Sequence, residues 1–339
     1  MAGCGLSWKV LMTAMIDAQG LKKTYRGRGA GAAARAMLEA VKGIDLKVEK
    51  GEIVGFLGPN GAGKTTTLRM LATLLEPSAG QARIAGSDLR RDPVAVRRQI
   101  GYVAQVGTTD PEAIAGEELV DHARLYGTTS AEAMLRGKAL LHELELSDCW
   151  QRKCGSLSGG QRRRLDIAMG LIQRPVLVFL DEPSTGLDPQ SRANLWGHIR
   201  EIRERHQTTL FITTHYMDEA DALCDRIVII DHGQIVAQDT PSGLKRRLGG
   251  DTLRLTLDVE ADRGAALRIV QDTVEDSQPE LDGACIRLRT ANGGSALPRL
   301  LSALGSGNVT VVGVELHRPT LDDVFLNLTG RSLRDSAEN

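Results

Sequence analysis

The sequence predicts an α/β domain followed by a smaller α+β domain, on three observations. Short apolar runs of the kind that form buried parallel strands alternate with helical stretches as far as about residue 240. A loop dense in glycine, "GPNGAGKTT" (58–66), joins one such run to a helix. Beyond "DTPSG" (239–243) the pattern changes to strict apolar–polar alternation, the mark of a half-buried strand. At 339 residues the chain exceeds the usual size of one domain, which agrees with this division.

The elements follow in order. Residues 1–14 are expected to be a disordered or misassigned extension, because Met12 and Met15 are each possible starts. The stretch "LSWKVLMTAMI" is too short to span a membrane, contains Lys9 and lacks a small-residue cleavage pattern. The first domain is expected over 15–241. Within it "RGRGAGAAARAMLEA" (26–40), low in complexity, reads as an exposed loop or a short extra helix. "EIVGFL" (52–57) reads as a buried strand and "TTLRMLATLL" (66–75) as the helix after the glycine loop. "VLVFL" (176–180), "TLFITT" (209–214) and "RIVII" (226–230) read as further parallel strands, with helices over 159–173 and 190–205 between them.

The second domain is expected over 242–331, with 332–339 a disordered tail. "DTLRLTLDV" (251–259) places Leu253, Leu255, Leu257 and Val259 on one face of a strand. A helix (261–274), a strand (284–289), a helix (296–304) and a strand (308–316) follow. "PTLDDVFLNLTG" opens a last helix, with Thr320 as N-cap and Asp323 completing a capping box. Leu321, Val324, Phe325 and Leu328 fall on one face of it, which either completes the core of the small domain or docks on a partner. No catalytic constellation stands out in this domain.

Composition removes several classes. Forty-two basic against 43 acidic residues leave a net charge of −1, without the basic excess that nucleic-acid binding usually wants. The five cysteines are scattered, odd in number and free of any C-x-x-C pair, so they read as small buried apolar groups in a reducing compartment. No run of about 18 apolar residues suits a membrane span.

The glycine loop carries the chemistry. Gly58-x-x-x-x-Gly63-Lys64-Thr65 fits the Walker A pattern. Glycines let consecutive N–H groups turn inward around phosphate oxygens, and the helix that follows aims its positive end at the same place. Lys64 supplies a cation to the outer phosphates, and the Thr65 hydroxyl can ligate Mg²⁺. Pro59, Asn60, Gly61, Gly63, Lys64, Thr65 and Thr66 are therefore the candidates for holding a nucleoside triphosphate. A carboxylate pair ends the strand in "VLVFLDEP". Asp181 stands where an aspartate would fix Mg²⁺, and Glu182, pointing the other way from the strand, could orient or deprotonate an attacking water. "LSGGQRRRLDIA" (157–168) opens another helix with two glycines, either an anion-binding N-terminus or a glycine-containing cap.

The exact string decides that choice. "LSGGQ" resembles the signature of the ABC (ATP-binding cassette) ATPases, and residues from Leu21 to about Pro241 look like one cassette. The motifs stand in family order: Walker A, Gln105 in "GYVAQ" as the Q-loop, the signature, Walker B ending at Asp181, Glu182, "STGLDP" (184–189) and His215 in "FITTH". Tyr25 in "LKKTY" matches the aromatic that stacks on adenine. The resemblance implies an ABC-type P-loop NTPase cassette, a RecA-like core plus a helical subdomain, that binds ATP and Mg²⁺. It implies Gln105 as a further contact to Mg²⁺ and nucleotide, and Glu182, His215, Lys64 and Gln105 as the hydrolytic set. It also implies a head-to-tail dimer with a second copy, in which Ser158, Gly159, Gly160 and Gln161 meet ATP bound to the opposite subunit.

A narrower likeness lies at the end of the chain. "PTLDDVFLNLTGR" (319–331) and "HYMDEADALCDRIVIIDHGQIVAQDTP" (215–241) resemble the daunorubicin/doxorubicin-resistance ATPases and their drug-exporting relatives. One departure is Glu118, where relatives commonly carry Asn, in a region that faces the membrane partner. The resemblance implies an ATPase that drives efflux through a separate integral membrane permease, held at the cytoplasmic face of the membrane, with no nucleic-acid partner. The alternatives are a non-transport ABC protein acting on nucleic acid or the ribosome, an importer ATPase, and a module that only binds ATP. The first is disfavoured by the short helical span between residues 65 and 157 and by the single cassette, the second by the short α+β tail.

Overall fold

The computed structural model describes residues 14–26, 37–258, 261–274 and 277–330. The proposed extension up to residue 13, most of the 26–40 stretch, Val259 and the tail over 332–339 lie outside these residues. The chain divides into two compact units between Gln238 and Asp239.

The first unit holds two sheets. In one, β3 (Ile53–Leu57), β6 (Ile100–Val103), β7 (Leu177–Asp181), β8 (Thr209–Thr214), β9 (Arg226–Asp231) and β10 (Gln234–Asp239) run in the order β10-β9-β3-β8-β7-β6. The pairs β9–β3, β3–β8, β8–β7 and β7–β6 are parallel. Every residue of β3, β7 and β8 is buried, which is why these strands appear in the sequence as unbroken apolar runs. Phe211 at their centre lies 5.4 Å from Phe56 and 5.8 Å from Phe179, ring to ring. Burying each such ring contributes roughly 1.5–3 kcal/mol.

The parallel register positions the site. Leu57 pairs with Thr214, Asp181 with Thr213, and Val103 with Leu180. Four neighbouring strands thus end along one edge, and the glycine loop, Gln105, Asp181 and His215 all leave from it. In open α/β sheets this carboxyl edge is where ligands bind.

Helix α1 (Lys64–Leu71) follows Gly63 and is shorter than the expected 66–75. Thr73, at φ 61°, turns the chain out of the helix, and Leu74 is exposed. The first unit also carries α2 (Pro93–Gln99), α6 (Pro189–His206) and α7 (Met217–Leu223), and the second unit opens with α8 (Pro241–Arg246). The helical subdomain consists of α3 (Ala115–Leu125) and α4 (Ser130–Glu143), clasping the Trp150 ring beside Gly116 and Gly137. Helix α5 (Gly159–Leu171) rests on β6, where a Cβ built on Gly101 would meet the Gly170 carbonyl oxygen at 2.0 Å and one on Gly170 would meet Val103 Cγ2 at 2.6 Å. Backbone cannot yield as a side chain can. Gly101→Ala is therefore expected to destabilise the first unit by about 1–3 kcal/mol. An unchanged melting temperature would refute this close approach.

The second sheet was not anticipated. β1 (Ile16–Arg26), β2 (Met37–Val48), β4 (Ala79–Ile84) and β5 (Ser87–Asp88) form an antiparallel layer in the order β2-β1-β4-β5. Register shifts between Ala18 and Leu21 and again after Lys23 break the alternation of β1, and β4 buries only Ala82 and Ile84.

The second unit contains β11 (Asp251–Leu257), α9 (Arg263–Thr273), β12 (Glu280–Asp282), β13 (Cys285–Thr290), α10 (Gly293–Ser306) and β14 (Val311–His317). The sheet order β12-β13-β11-β14, antiparallel throughout, makes a split β-α-β-β-α-β unit. Leu253, Leu255 and Leu257 pack with Val270, Ile286, Leu288, Leu300 and Leu304. β12 is exposed at every position and so left no apolar signal. In α11 (Leu321–Thr329) both capping-box hydrogen bonds form: Asp323 N–H donates to Thr320 Oγ1 at 3.2 Å and Thr320 N–H to Asp323 Oδ2 at 2.8 Å. Leu321, Val324 and Phe325 are buried, whereas Leu328, expected on the same face, is 40% exposed.

Candidate nucleotide site

The loop from β3 to α1 is held by its own backbone. Gly61 and Gly63 take φ of 78° and 104°, conformations that favour glycine, and a Cβ on Gly63 would stand 2.6 Å from the Ala40 carbonyl oxygen. Lys64 is 4% exposed. Its Nζ donates to Gly58 O at 2.8 Å and Pro59 O at 3.1 Å, and lies 3.3 Å from Glu182 Oε1. Burial lowers the pKa of this ammonium, while the Glu182 carboxylate pulls it back up. Thr65 and Thr66 are half-buried, Pro59 is buried, and Asn60 and Gly61 are exposed at the rim.

Asp181 is fully buried at the end of β7. Its Oδ1 accepts from Thr213 Oγ1 at 2.7 Å and from Thr65 Oγ1 at 3.0 Å. Its Oδ2 has no hydrogen-bond partner among the described residues. A buried carboxylate oxygen left so is costly, and a cation offsets that cost. An all-oxygen donor set of one carboxylate and one threonine hydroxyl suits Mg²⁺, which normally shares its shell with phosphate and water. No cluster of three or more His, Cys, Asp or Glu fit to cage a metal occurs among the described residues.

Glu182 departs from the strand pattern. Its φ of 45° ends the alternation at Asp181, so its carboxylate does not point away but joins the same cluster. Its N–H donates to Thr213 O and Thr213 Oγ1, each at 3.1 Å. Its Oε2 accepts from Gln105 Nε2 at 2.9 Å and Thr185 Oγ1 at 3.2 Å. His215 Nδ1 lies 3.2 Å from Oε2, within ion-pair range for a protonated ring but off the line of a hydrogen bond. Burial pushes the carboxyl pKa up, but His215 and Lys64 outweigh it and hold it down at about 2. Glu182 is thus an anion throughout the ordinary pH range.

The structure gathers Lys64, Thr65, Gln105, Asp181, Glu182 and His215 by direct contact. It does not bring Ser158, Gly159, Gly160 or Gln161 to them: among the described residues no hydrogen bond or ion pair joins the two groups. Ser158 instead N-caps α5, its N–H donating to Gln161 Oε1 at 3.0 Å while Gln161 N–H donates to Ser158 Oγ at 3.2 Å. Ser158 and Gly159 are exposed, and nothing lies within 4 Å of a Cβ built on Gly159. Tyr25 stands at the end of β1, 38% exposed, with Lys23 Nζ 5.4 Å from its ring centre.

Thr213 and Thr185 were missed. Thr213 had a readable signal, because strand periodicity sets it two residues before His215 on the same side. Thr185 had none, since its contact depends on the turn after Glu182.

Comparison with known proteins covers both units. Residues 41–185 match the ABC transporter family, and residues 240–329 match the ATP-binding protein DrrA1-3-like, C-terminal domain. The daunorubicin/doxorubicin resistance ATP-binding protein DrrA of Streptomyces peucetius is 41% identical over 96% of this chain and 97% of its own length. The linearmycin resistance ATP-binding protein LnrL of Bacillus subtilis is 33% identical over 95% of this chain and 100% of its own. A solved dimeric structure of a bacterial ABC transporter cassette is similar with a TM-score of 0.60 at 25% identity, covering 67% of this chain and 98% of that one.

Proposed function

The chain belongs to the ATP-binding proteins of ABC transporters, in the group that includes the daunorubicin/doxorubicin-resistance proteins, and from that premise we infer that it powers efflux of a hydrophobic drug or antibiotic-like compound. It is an ATPase, converting ATP and water to ADP and phosphate. The observation that carries export over import is that the likeness to drug-resistance proteins runs through residues 240–329 as well as the cassette.

Each residue of the cluster has a place in that reaction. The glycine loop and the N-terminus of α1 hold the phosphates, and Lys64 exchanges its carbonyl and Glu182 contacts for the outer phosphates. Thr65 and Asp181 would hold Mg²⁺ with Gln105, and the ion would neutralise charge on the phosphates. Glu182 accepts the proton of the attacking water, with Gln105, Thr185 and His215 fixing its carboxylate. Tyr25 stacks on the base. Ser158 and Gly159, exposed, and Gly160 and Gln161, half-buried, all lie apart from the cluster and serve the nucleotide of a second copy in a head-to-tail dimer.

Among the described residues no helix is long and apolar enough to cross a membrane. The likeness over nearly the whole chain is to proteins named as ATP-binding proteins, which supports assigning the pathway to a separate integral membrane permease with this chain peripheral at its cytoplasmic face. Closing the dimer on ATP and reopening it after hydrolysis would rock that permease. The test is co-expression with the candidate permease and measurement of daunorubicin fluorescence in cells. Cells carrying the active pair should retain several-fold less drug than cells carrying the Lys64→Ala variant. Equal retention would refute drug efflux, and higher retention with the active pair would indicate uptake.

A further inference from the structure

Arg163 lies in the second turn of α5 and is 7% exposed. Its guanidinium reaches three backbone carbonyls: Nε donates to Pro183 O at 2.7 Å, Nη1 to Ala104 O at 2.6 Å and Nη2 to Asp181 O at 3.1 Å. Two of these carbonyls belong to the residues on either side of Glu182. The third belongs to the residue before Gln105. Gln105 and Glu182 are themselves joined at 2.9 Å.

We propose that Arg163 is the positioning residue of the hydrolytic cluster, fixing the backbone on both sides of Glu182 and immediately before Gln105 so that the two side chains meet. This rests on the reading of Glu182 as the proton acceptor and adds a residue to it. The physical need is visible at Glu182, whose φ of 45° is a left-handed conformation for a residue with a side chain. Such a conformation costs roughly 1–3 kcal/mol and persists only where the surroundings over-determine it. Bonds to both flanking carbonyls supply that constraint.

The neighbours make the assignment specific to this arginine. Asp166, 8% exposed and one helical turn on, places Oδ2 3.9 Å from Arg163 Nη1 and balances the buried charge. Arg162 donates to Gly155 O at 3.2 Å, and Arg164 faces Glu145 and His198, so neither can take over. A guanidinium offers five N–H donors in a rigid planar fork, whereas a lysine ammonium on a flexible stem cannot span three carbonyls at once. Since α5 begins at the signature residues, Arg163 also ties the helix that faces the partner's nucleotide to the chain's own Glu182.

The experiment is Arg163→Lys in the full-length chain, which keeps the charge and removes the fork. ATP affinity, melting temperature, KM and kcat are measured together, and again in Glu182→Gln and the double variant. Arg163→Lys should lower kcat about 30- to 100-fold, within the range for a misplaced proton acceptor, with KM and ATP affinity within about threefold of wild type. The double variant should be no slower than Glu182→Gln alone, because a residue that acts through Glu182 has nothing left to position. Three results would overturn the proposal: wild-type kcat in Arg163→Lys, joint loss of ATP affinity and melting temperature, or multiplied losses in the double variant. Wild-type turnover in Glu182→Gln would instead overturn the proton-acceptor reading, so the two failures are distinguishable.

Discussion

Glu182→Gln should bind ATP as well as wild type and turn it over about 10²–10⁴ times more slowly, the range spanned by loss of a general base. The amide keeps the shape of the side chain and its bonds to Gln105 and Thr185 can be remade. What it lacks is the charge that accepts a proton and balances Lys64 at 3.3 Å. ATP binding should survive because the loop, the N-terminus of α1 and Lys64 are untouched. Relieved of its carboxylate partner, Lys64 is freer to reach phosphate, so affinity is expected to be equal or higher. With Mg-ATP the variant should accumulate as a dimer on size exclusion, since closure no longer ends in hydrolysis. Turnover close to wild type would remove Glu182 from its role.

The same residue sets a pH expectation. Its carboxyl sits at about 2, below the ordinary glutamate value of 4.5, because His215 and Lys64 outweigh burial. A carboxyl depressed on folding stabilises the fold above its unfolded pKa and loses that contribution as pH falls through the folded one. In the nucleotide-free chain the stability that the Glu182 carboxylate contributes over Glu182→Gln should therefore be lost as pH falls from about 4.5 to 2, where the carboxyl takes up its proton. Between pH 5 and 7 the nucleotide-free Glu182 does not titrate.

Ser158→Arg should leave ATP binding to a single chain intact and lower hydrolysis about 100-fold, the usual cost of misplacing groups around a reacting phosphate. Among the described residues Ser158 bonds only within its own helix: it is exposed, makes the capping pair with Gln161, and its carbonyl accepts from Arg162 N–H at 2.8 Å. Losing the cap costs about 1 kcal/mol, too little to unfold the unit, and a melting curve measures it separately. Any larger effect must come from the surface the residue presents to a partner. Mixing with Lys64→Ala makes the test sharper. The Ser158→Arg chain keeps its glycine loop and the Lys64→Ala chain keeps its signature, so one interface of the mixed dimer is whole. Activity above either variant alone would support a shared site. A normal rate in Ser158→Arg, with the membrane permease bound, would refute it.

Much of this site was legible in the sequence because its parts are local. The glycine loop needs a strand before it and a helix after it, and both are written as unbroken or periodic apolar runs. β3, β7 and β8 are buried on both faces, so no alternation obscured them. The capping box read at Thr320–Asp323 spans four residues and forms as its spacing requires, and Ser158 and Gln161 form a second one. The antiparallel layer of β1, β2, β4 and β5 was not legible, since bulges and half-exposed positions erase its period.

By itself, then, the sequence determined the strands of the parallel sheet, the glycine loop between strand and helix, and the positions of Lys64, Thr65, Asp181 and Glu182 at strand and helix ends, each fixed by neighbours a few positions away. Only the tertiary structure decided that Glu182 turns back beside Asp181, since its N–H is held by Thr213 and the carbonyls on either side of it by Arg163, both distant in sequence. The three arginines 162–164 make the same point. They are chemically alike in the sequence, but a helix turns by about 100° per residue and gives each a different neighbourhood. Which of them is carried inside depends on where α5 rests against β6 and β7. That placement puts Arg163 against the carbonyls of Ala104, Asp181 and Pro183, and sends its two neighbours elsewhere. Contacts between residues distant in sequence are set by packing, and packing exists only once the whole unit has folded.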